Sequence, residues 1–146
     1  TSAGVSDEEH GNPMDPRAVR VLHEAGYDAD PQLARAIAAH RAHQVTDHEI
    51  RATDLLLAMT ASHHAALTRC ARRLGTDPGR IRMFRELDPD SAGQAVAVEE
   101  GRAARGVLDV PDPWYGTTAD FYETLEVVER VSRTLTTQLV LASGPA

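Results

Sequence analysis

Asp54-Leu55-Leu56-Leu57-Ala58-Met59 is a continuous apolar run behind a polar residue, and Ile81-Arg82-Met83-Phe84 follows it after one helix-length interval. Such a run suits a strand covered on both faces, as strands in parallel sheets are. Between the two, Ser62 stands where a helix cap belongs, Ala66, Leu67, Cys70, Ala71 and Leu74 recur at helical spacing, and Gly75 closes the segment. Strand, helix, strand in that order predicts an α/β fold with three layers around a short parallel sheet. Toward the N-terminus, Thr46-Asp47-His48-Glu49 has the capping-box pattern and opens a short helix. Asp30-Pro31 opens another, with Leu33, Ala34, Ile37 and Ala38 as its apolar stripe, and Asp15-Pro16 opens a helix over 15–25 that stops at Gly26. Thr1 to His10 has no period and reads as loop. Toward the C-terminus, the Asp-, Pro-, Gly- and Ala-rich stretch from Leu87 to Gly116 reads as one long loop, the kind of segment that carries function. Phe121, Leu125, Val128, Ser132, Leu135 and Leu139 then alternate at gaps of four and three, which predicts a final helix from about Thr118 to Val140 and a frayed tail from Ala142 to Ala146.

The chain has 146 residues, 42% hydrophobic and 25% charged, a length at which one domain over 1–146 is expected. Fifteen basic residues against 22 acidic ones give a net charge of -7, which disfavours nucleic acid and membrane surfaces as partners. All fifteen are arginine, so a lysine nucleophile or Schiff base is excluded. Cys70 is the only cysteine, which excludes an intrachain disulfide and a four-thiolate metal site and makes a reducing, cytoplasmic setting the expectation. No apolar run approaches the roughly 20 residues of a membrane-spanning helix, and no leader pattern opens the chain. Its first residue is Thr1 rather than methionine, which leaves open a segment removed, cleaved or not included.

Asp109-Val110-Pro111-Asp112-Pro113-Trp114-Tyr115-Gly116 is the stretch richest in chemistry. Two prolines stiffen it, two aromatics can wall a planar substrate, and Asp112 between the prolines is a candidate general acid. To protonate a leaving oxygen near neutral pH, that carboxyl would need a pKa well above about 3.9, through burial or a bound anion. The competing reading is a turn in which Asp caps and Pro punctuates.

Ordered matches along the chain resemble the low-molecular-weight protein-tyrosine phosphatases. Ser2-Ala3-Gly4, Gly11-Asn12-Pro13-Met14-Asp15-Pro16-Arg17, Gly26-Tyr27-Asp28 and His40-Arg41-Ala42-His43-Gln44-Val45-Thr46 are similar to family segments, as are Asp54 to Met59, Leu87-Asp88-Pro89 and Val110 to Gly116. The resemblance implies a four-stranded parallel sheet and cofactor-free hydrolysis of a phosphotyrosine protein or small phosphate monoester through a cysteinyl-phosphate. A thiolate attacks phosphorus, an arginine and backbone amides hold the phosphoryl oxygens, and an aspartic acid protonates the leaving phenol. It assigns the acid to Asp112, substrate contacts to Trp114 and Tyr115, and support of the phosphate loop to Ser2, His40 and Asp88. The family's nucleophile and arginine share a Cys-x5-Arg loop after the first strand, and no such spacing occurs here, since the sixth residue after Cys70 is Thr76. The expectation is therefore that roughly 30 residues, a strand, the phosphate loop and a helix, are missing ahead of Thr1. In the family that strand lies centrally, so a gap beside the Leu55–Met59 strand is expected with it.

Departures from the pattern leave the substrate open among phosphotyrosine, phosphoarginine and small esters: Glu8-Glu9-His10 replace an aromatic wall, His43 an arginine and Thr60 an aspartate, and residues around 31–39 are extra. Two other classes remain. One is a catalytically silent interaction module with an acidic Glu8-Glu9 patch, and the other is a zinc or nickel module built from His40, His43, Asp47, His48, His63 and His64. Arsenate reduction would need resolving cysteines that the sequence does not contain. No metal is assigned, and the oligomeric state is not legible.

Overall fold

A computed structural model describes residues 2–143. Helices α1 (Pro16–Glu24) and α2 (Pro31–Ala39) each start at an Asp-Pro pair. Asp15 accepts from the Arg17 amide and Asp30 from the Gln32 amide, and proline fills the first helical position, where an N–H would have no partner. Gly26 ends α1 with φ 81°, the left-handed conformation. A Cβ there would meet nothing within 4 Å, so Gly26→Ala costs only backbone strain and is expected to lower stability by about 1–2 kcal/mol in urea denaturation. Helix α3 (Asp47–Ala52) has both halves of the capping box, Thr46 and Glu49 satisfying each other's backbone amides. The Thr46 amide first, then the His43 ring at 2.9 Å and the Thr46 hydroxyl, all bonded to the Glu49 carboxylate, hold it down to about 2.

Strand β1 (Leu56–Ala58), helix α4 (Ala61–Arg73) and strand β2 (Ile81–Met83) form a parallel strand–helix–strand unit, with Leu56 opposite Ile81 and Ala58 opposite Met83. The two faces of β1 pack as the continuous apolar run requires. Ala58 and Leu56 join Ile50, Leu67, Ala71, Ile81, Met83 and Leu108 on the α4 side, whereas Leu57 and Met59 join Phe84, Val110 and Val131 toward α6 (Thr118–Ser143). Helices thus cover both sides of the sheet. Among the described residues the sheet has two strands, and a separate parallel bridge joins Gly4 to Gln44. The second edge of β1 faces a cleft of about 400 Å³ lined by Ser2, Val5, Val45, Leu56, Phe84 and Ser132, among others. That open edge leaves Leu56 and Leu57 half-buried despite their covered faces.

Four expectations are corrected. The 87–116 stretch is not one loop: it holds helix α5 (Ala92–Glu99) and tight 3-10 turns at Pro89–Ser91 and Arg105–Leu108. Helix α4 is capped by Thr60, whose hydroxyl accepts from the His63 amide, while Ser62 lies inside the first turn and bonds the Thr60 hydroxyl. The second strand ends at Met83, because Phe84 begins a 3-10 turn through Leu87. The final helix continues through Ser143, so 142 and 143 are helical, and the rest of the expected frayed tail lies outside the described residues.

Candidate active site

The Asp109–Gly116 loop follows the Arg105–Leu108 turn and passes beside the C-terminal end of β1. The Val110 amide donates to the Met59 carbonyl at 2.8 Å, and Asp109 Oδ1 accepts from the Ala61 amide at 2.6 Å, in the first turn of α4. Arg85 donates to the Asp109 carbonyl at 3.1 Å. Ligand sites of open α/β sheets lie at the carboxyl ends of strands, and this loop starts there. Met59 itself lines the cleft beside β1.

Farther along, Thr124 of α6 donates to the Pro111 carbonyl at 3.3 Å. The loop's other end is held by Arg17, which donates to the carbonyls of Trp114 and Gly116 at 3.0 Å each. Asp15 fixes that guanidinium with two bonds of 3.1 and 2.9 Å, and the ring of Phe121 lies 4.6 Å beneath it. The same bonds lower the Asp15 pKa. Arg17 is the site residue that sequence reasoning quoted but gave no role. Its signal is an arginine two residues after a helix-capping Asp, although its loop partners lie nearly a hundred positions away.

Asp112 is exposed at the loop's tip, where Oδ1 accepts from the Trp114 amide at 2.9 Å, an Asx-type turn that leaves Oδ2 without a hydrogen bond among the described residues. The turn reading and the acid reading are therefore compatible. Trp114 is 45% exposed and Tyr115 95%, so neither ring is walled in by the protein.

Asp88, after β2, is 1% exposed and lies at the centre of an ionic network. Arg130 of α6 donates to both its oxygens at 2.6 and 2.9 Å, Ser91 Oγ donates at 3.3 Å, the Asp90 amide at 3.1 Å, and Arg85 approaches at 3.5 Å. Arg130 leads in pulling its pKa down to about 2. Since Arg85 bonds Asp88, Ser91 and the Asp109 carbonyl, this network reaches the base of the Asp112 loop. Ser2 lines the β1 cleft, whereas His40 caps the end of α2 and its ring makes no hydrogen bond among the described residues. Cys70 packs half-buried against the core on α4.

The histidines form no single centre. His43 pairs with Glu49, Asp47 pairs with Arg73, and His64 bonds the Ile81 carbonyl, so among the described residues no three His, Cys, Asp or Glu side chains are grouped to hold a metal ion.

Comparison with known proteins points the same way as the loop. The Bacillus subtilis protein described as YfkJ shares the fold, with a TM-score of 0.69 at 21% identity over 95% of this chain and 71% of that one. A low molecular weight protein tyrosine phosphatase from the same organism reaches a TM-score of 0.62 at 27% identity over 94% and 73% of the two chains. The low molecular weight protein-tyrosine phosphatase A of Mycobacterium tuberculosis is 38% identical over 130 residues, 88% of this chain, and the chain spans 63% of that relative's length. A Streptomyces coelicolor low molecular weight protein-tyrosine-phosphatase is 36% identical over 131 residues, 90% of this chain and 66% of its own. The family profile matches residues 1–142, and the chain belongs to the low molecular weight phosphotyrosine protein phosphatases.

Proposed function

We propose that residues 1–146 form one domain that supplies the general acid of a cytoplasmic, cofactor-free phosphotyrosine monoester hydrolase. The nucleophilic thiolate and the phosphate-holding arginine come from a Cys-x5-Arg segment joined ahead of Thr1. The observation that carries this reading is the Asp112 loop, hydrogen-bonded beside the carboxyl end of β1 and pinned by Arg17, with its acid at the exposed tip. In the first step the thiolate sulfur bonds phosphorus, the P–O bond to the phenol breaks, and the departing oxygen takes the Asp112 proton. Water then displaces the thiolate from phosphorus and gives a proton to the Asp112 carboxylate. Trp114 and Tyr115 flank the substrate ring, and their exposure in the absence of substrate suits stacking on an incoming phenyl group. Asp88, Ser2 and His40 support the phosphate loop rather than touch the reacting atoms.

The coding sequence ahead of Thr1 is the decisive test: a Cys-x5-Arg there supports the proposal, and its lack favours the silent interaction module. The 146-residue chain by itself is expected to hydrolyse p-nitrophenyl phosphate at the background rate, since an acid worth about 10²- to 10⁴-fold has no nucleophile to assist. Turnover by this chain that Cys70→Ser abolishes would overturn the assignment.

A further inference from the structure

Away from the acid loop, an open depression of about 590 Å³ is bordered by four arginines from three separate elements: Arg69 and Arg72 of α4, Arg82 of β2, and Arg105 of the turn before Leu108. Thr68 and His64 add polar groups, and Ala65, Pro78 and Ile81 add apolar surface.

Ordinary surface electrostatics accounts for only part of this. Arg72 lies in the last turn of α4, where a cation complements the helix dipole. Arg82 pairs with Glu86. Arg69 and Arg105 have no such explanation. In a chain with 22 acidic residues, the arginines whose side chains make neither a hydrogen bond nor an ion pair among the described residues are Arg51, Arg69, Arg72 and Arg105, and the last three line this one depression. Four positive charges from different elements thus border one open depression, three of them with no carboxylate partner, and are free to pair with an anion seated there. His64 reports the local field: burial first, and then the charge of Arg105, lower its pKa. Its Nε2 is committed to the Ile81 carbonyl at 3.2 Å, so the ring is held at the depression's edge.

We infer that this depression is a second anion site, separate from the acid loop, which takes a compact ligand carrying two or more phosphoryl charges. Guanidinium groups present paired N–H donors that match phosphate oxygens, and arginines on three elements converge on a compact polyanion rather than line up along an extended one. The proposal does not depend on the hydrolase reading, and its test uses no activity.

Isothermal titration calorimetry of the 146-residue chain with inorganic pyrophosphate, inorganic phosphate, ADP and hexaglutamate tests it. Saturable pyrophosphate binding, tighter than phosphate, is expected. Arg69→Gln/Arg105→Gln should weaken it by roughly 10- to 100-fold, the size of lost charge-assisted hydrogen bonds, with an unchanged melting temperature because neither side chain has a partner. Arg72→Gln is the second variant, read the same way should the double variant fold poorly. Arg51→Gln, outside the depression, should bind as the parent does. ADP that matches or exceeds pyrophosphate assigns the ligand to phosphate esters, and weaker ADP assigns it to free condensed phosphate; both support the site. No saturable pyrophosphate binding, binding untouched by the arginine variants, or hexaglutamate binding more tightly than pyrophosphate would each overturn it, the last in favour of an acidic protein partner.

Discussion

Asp112→Asn, made in a longer chain that carries a Cys-x5-Arg segment, is expected to lower turnover on phosphotyrosine by roughly two to four powers of ten while phosphate binding is largely kept. The dianion would be held by the arginine and amides of that segment, whereas Asp112 matters only as the bridging oxygen departs with negative charge. The loss should therefore shrink for esters of strongly acidic phenols, which leave without a proton. Asp109→Asn is the contrasting variant. Asp109 Oδ1 accepts the Ala61 amide, and an asparagine carbonyl can accept the same bond, so its effect should be small and independent of the leaving group. Steady-state rates of both variants on phosphotyrosine and on an acidic-phenol ester decide the matter. Equal losses, or a loss at Asp112 indifferent to the leaving group, would show that the acid lies elsewhere.

Asp88→Asn should cost on the order of 3 kcal/mol of folding stability at pH 7 in urea titration. This is the lower end of what breaking a buried ion pair costs, because Arg130 and Arg85 are 29% and 20% exposed and Arg130 keeps Asp90 at 3.2 Å. The pH dependence has a definite sign. Asp88 binds its proton less readily folded, at about 2, than unfolded, near 3.8, so its stabilisation is present above about pH 4 and is lost as pH falls toward 2. Glu49, also lowered, acts in the same direction but more weakly, because solvent screens its partly exposed carboxylate. The Asp88→Asn protein should consequently lose less stability between pH 5 and pH 2.5 than the parent does. An unchanged slope would mean that the carboxylate is not held by its arginines in solution.

What the sequence discloses tracks how local the determining interactions are. Asp15-Pro16, Asp30-Pro31 and the Thr46–Glu49 box announce α1, α2 and α3 because each cap bonds an amide two or three residues away. Helix α5 carries no such sign: the hydroxyl of Ser91, at its N-cap position, bonds Asp88 and Arg85 instead of a helix amide, and Gly93 stands in its first turn. The sequence pattern misplaces the α4 start at Ser62, because Thr60 and Ser62 are both competent caps and the hydroxyl nearer the strand takes the role. In the site, Asp112 is legible from its flanking prolines and aromatics. The carboxylate–arginine network around Asp88 is not, since Arg130 reaches it across 42 positions. Nor is the arginine depression, which three elements assemble only when α4 packs beside β2.

Arg17 and the loop it grips are separated by 97 and 99 positions, and that distance has a kinetic meaning. Closing so long a span cannot be offset until both ends of the chain have collapsed onto the core, so contacts of this kind form late in folding. The strand–helix–strand unit from Leu56 to Met83 can assemble from neighbours, whereas the acid loop waits for α1 to dock against α6. A nearly folded chain would then hold a finished sheet and an unordered acid, and competence would be the last property the protein acquires.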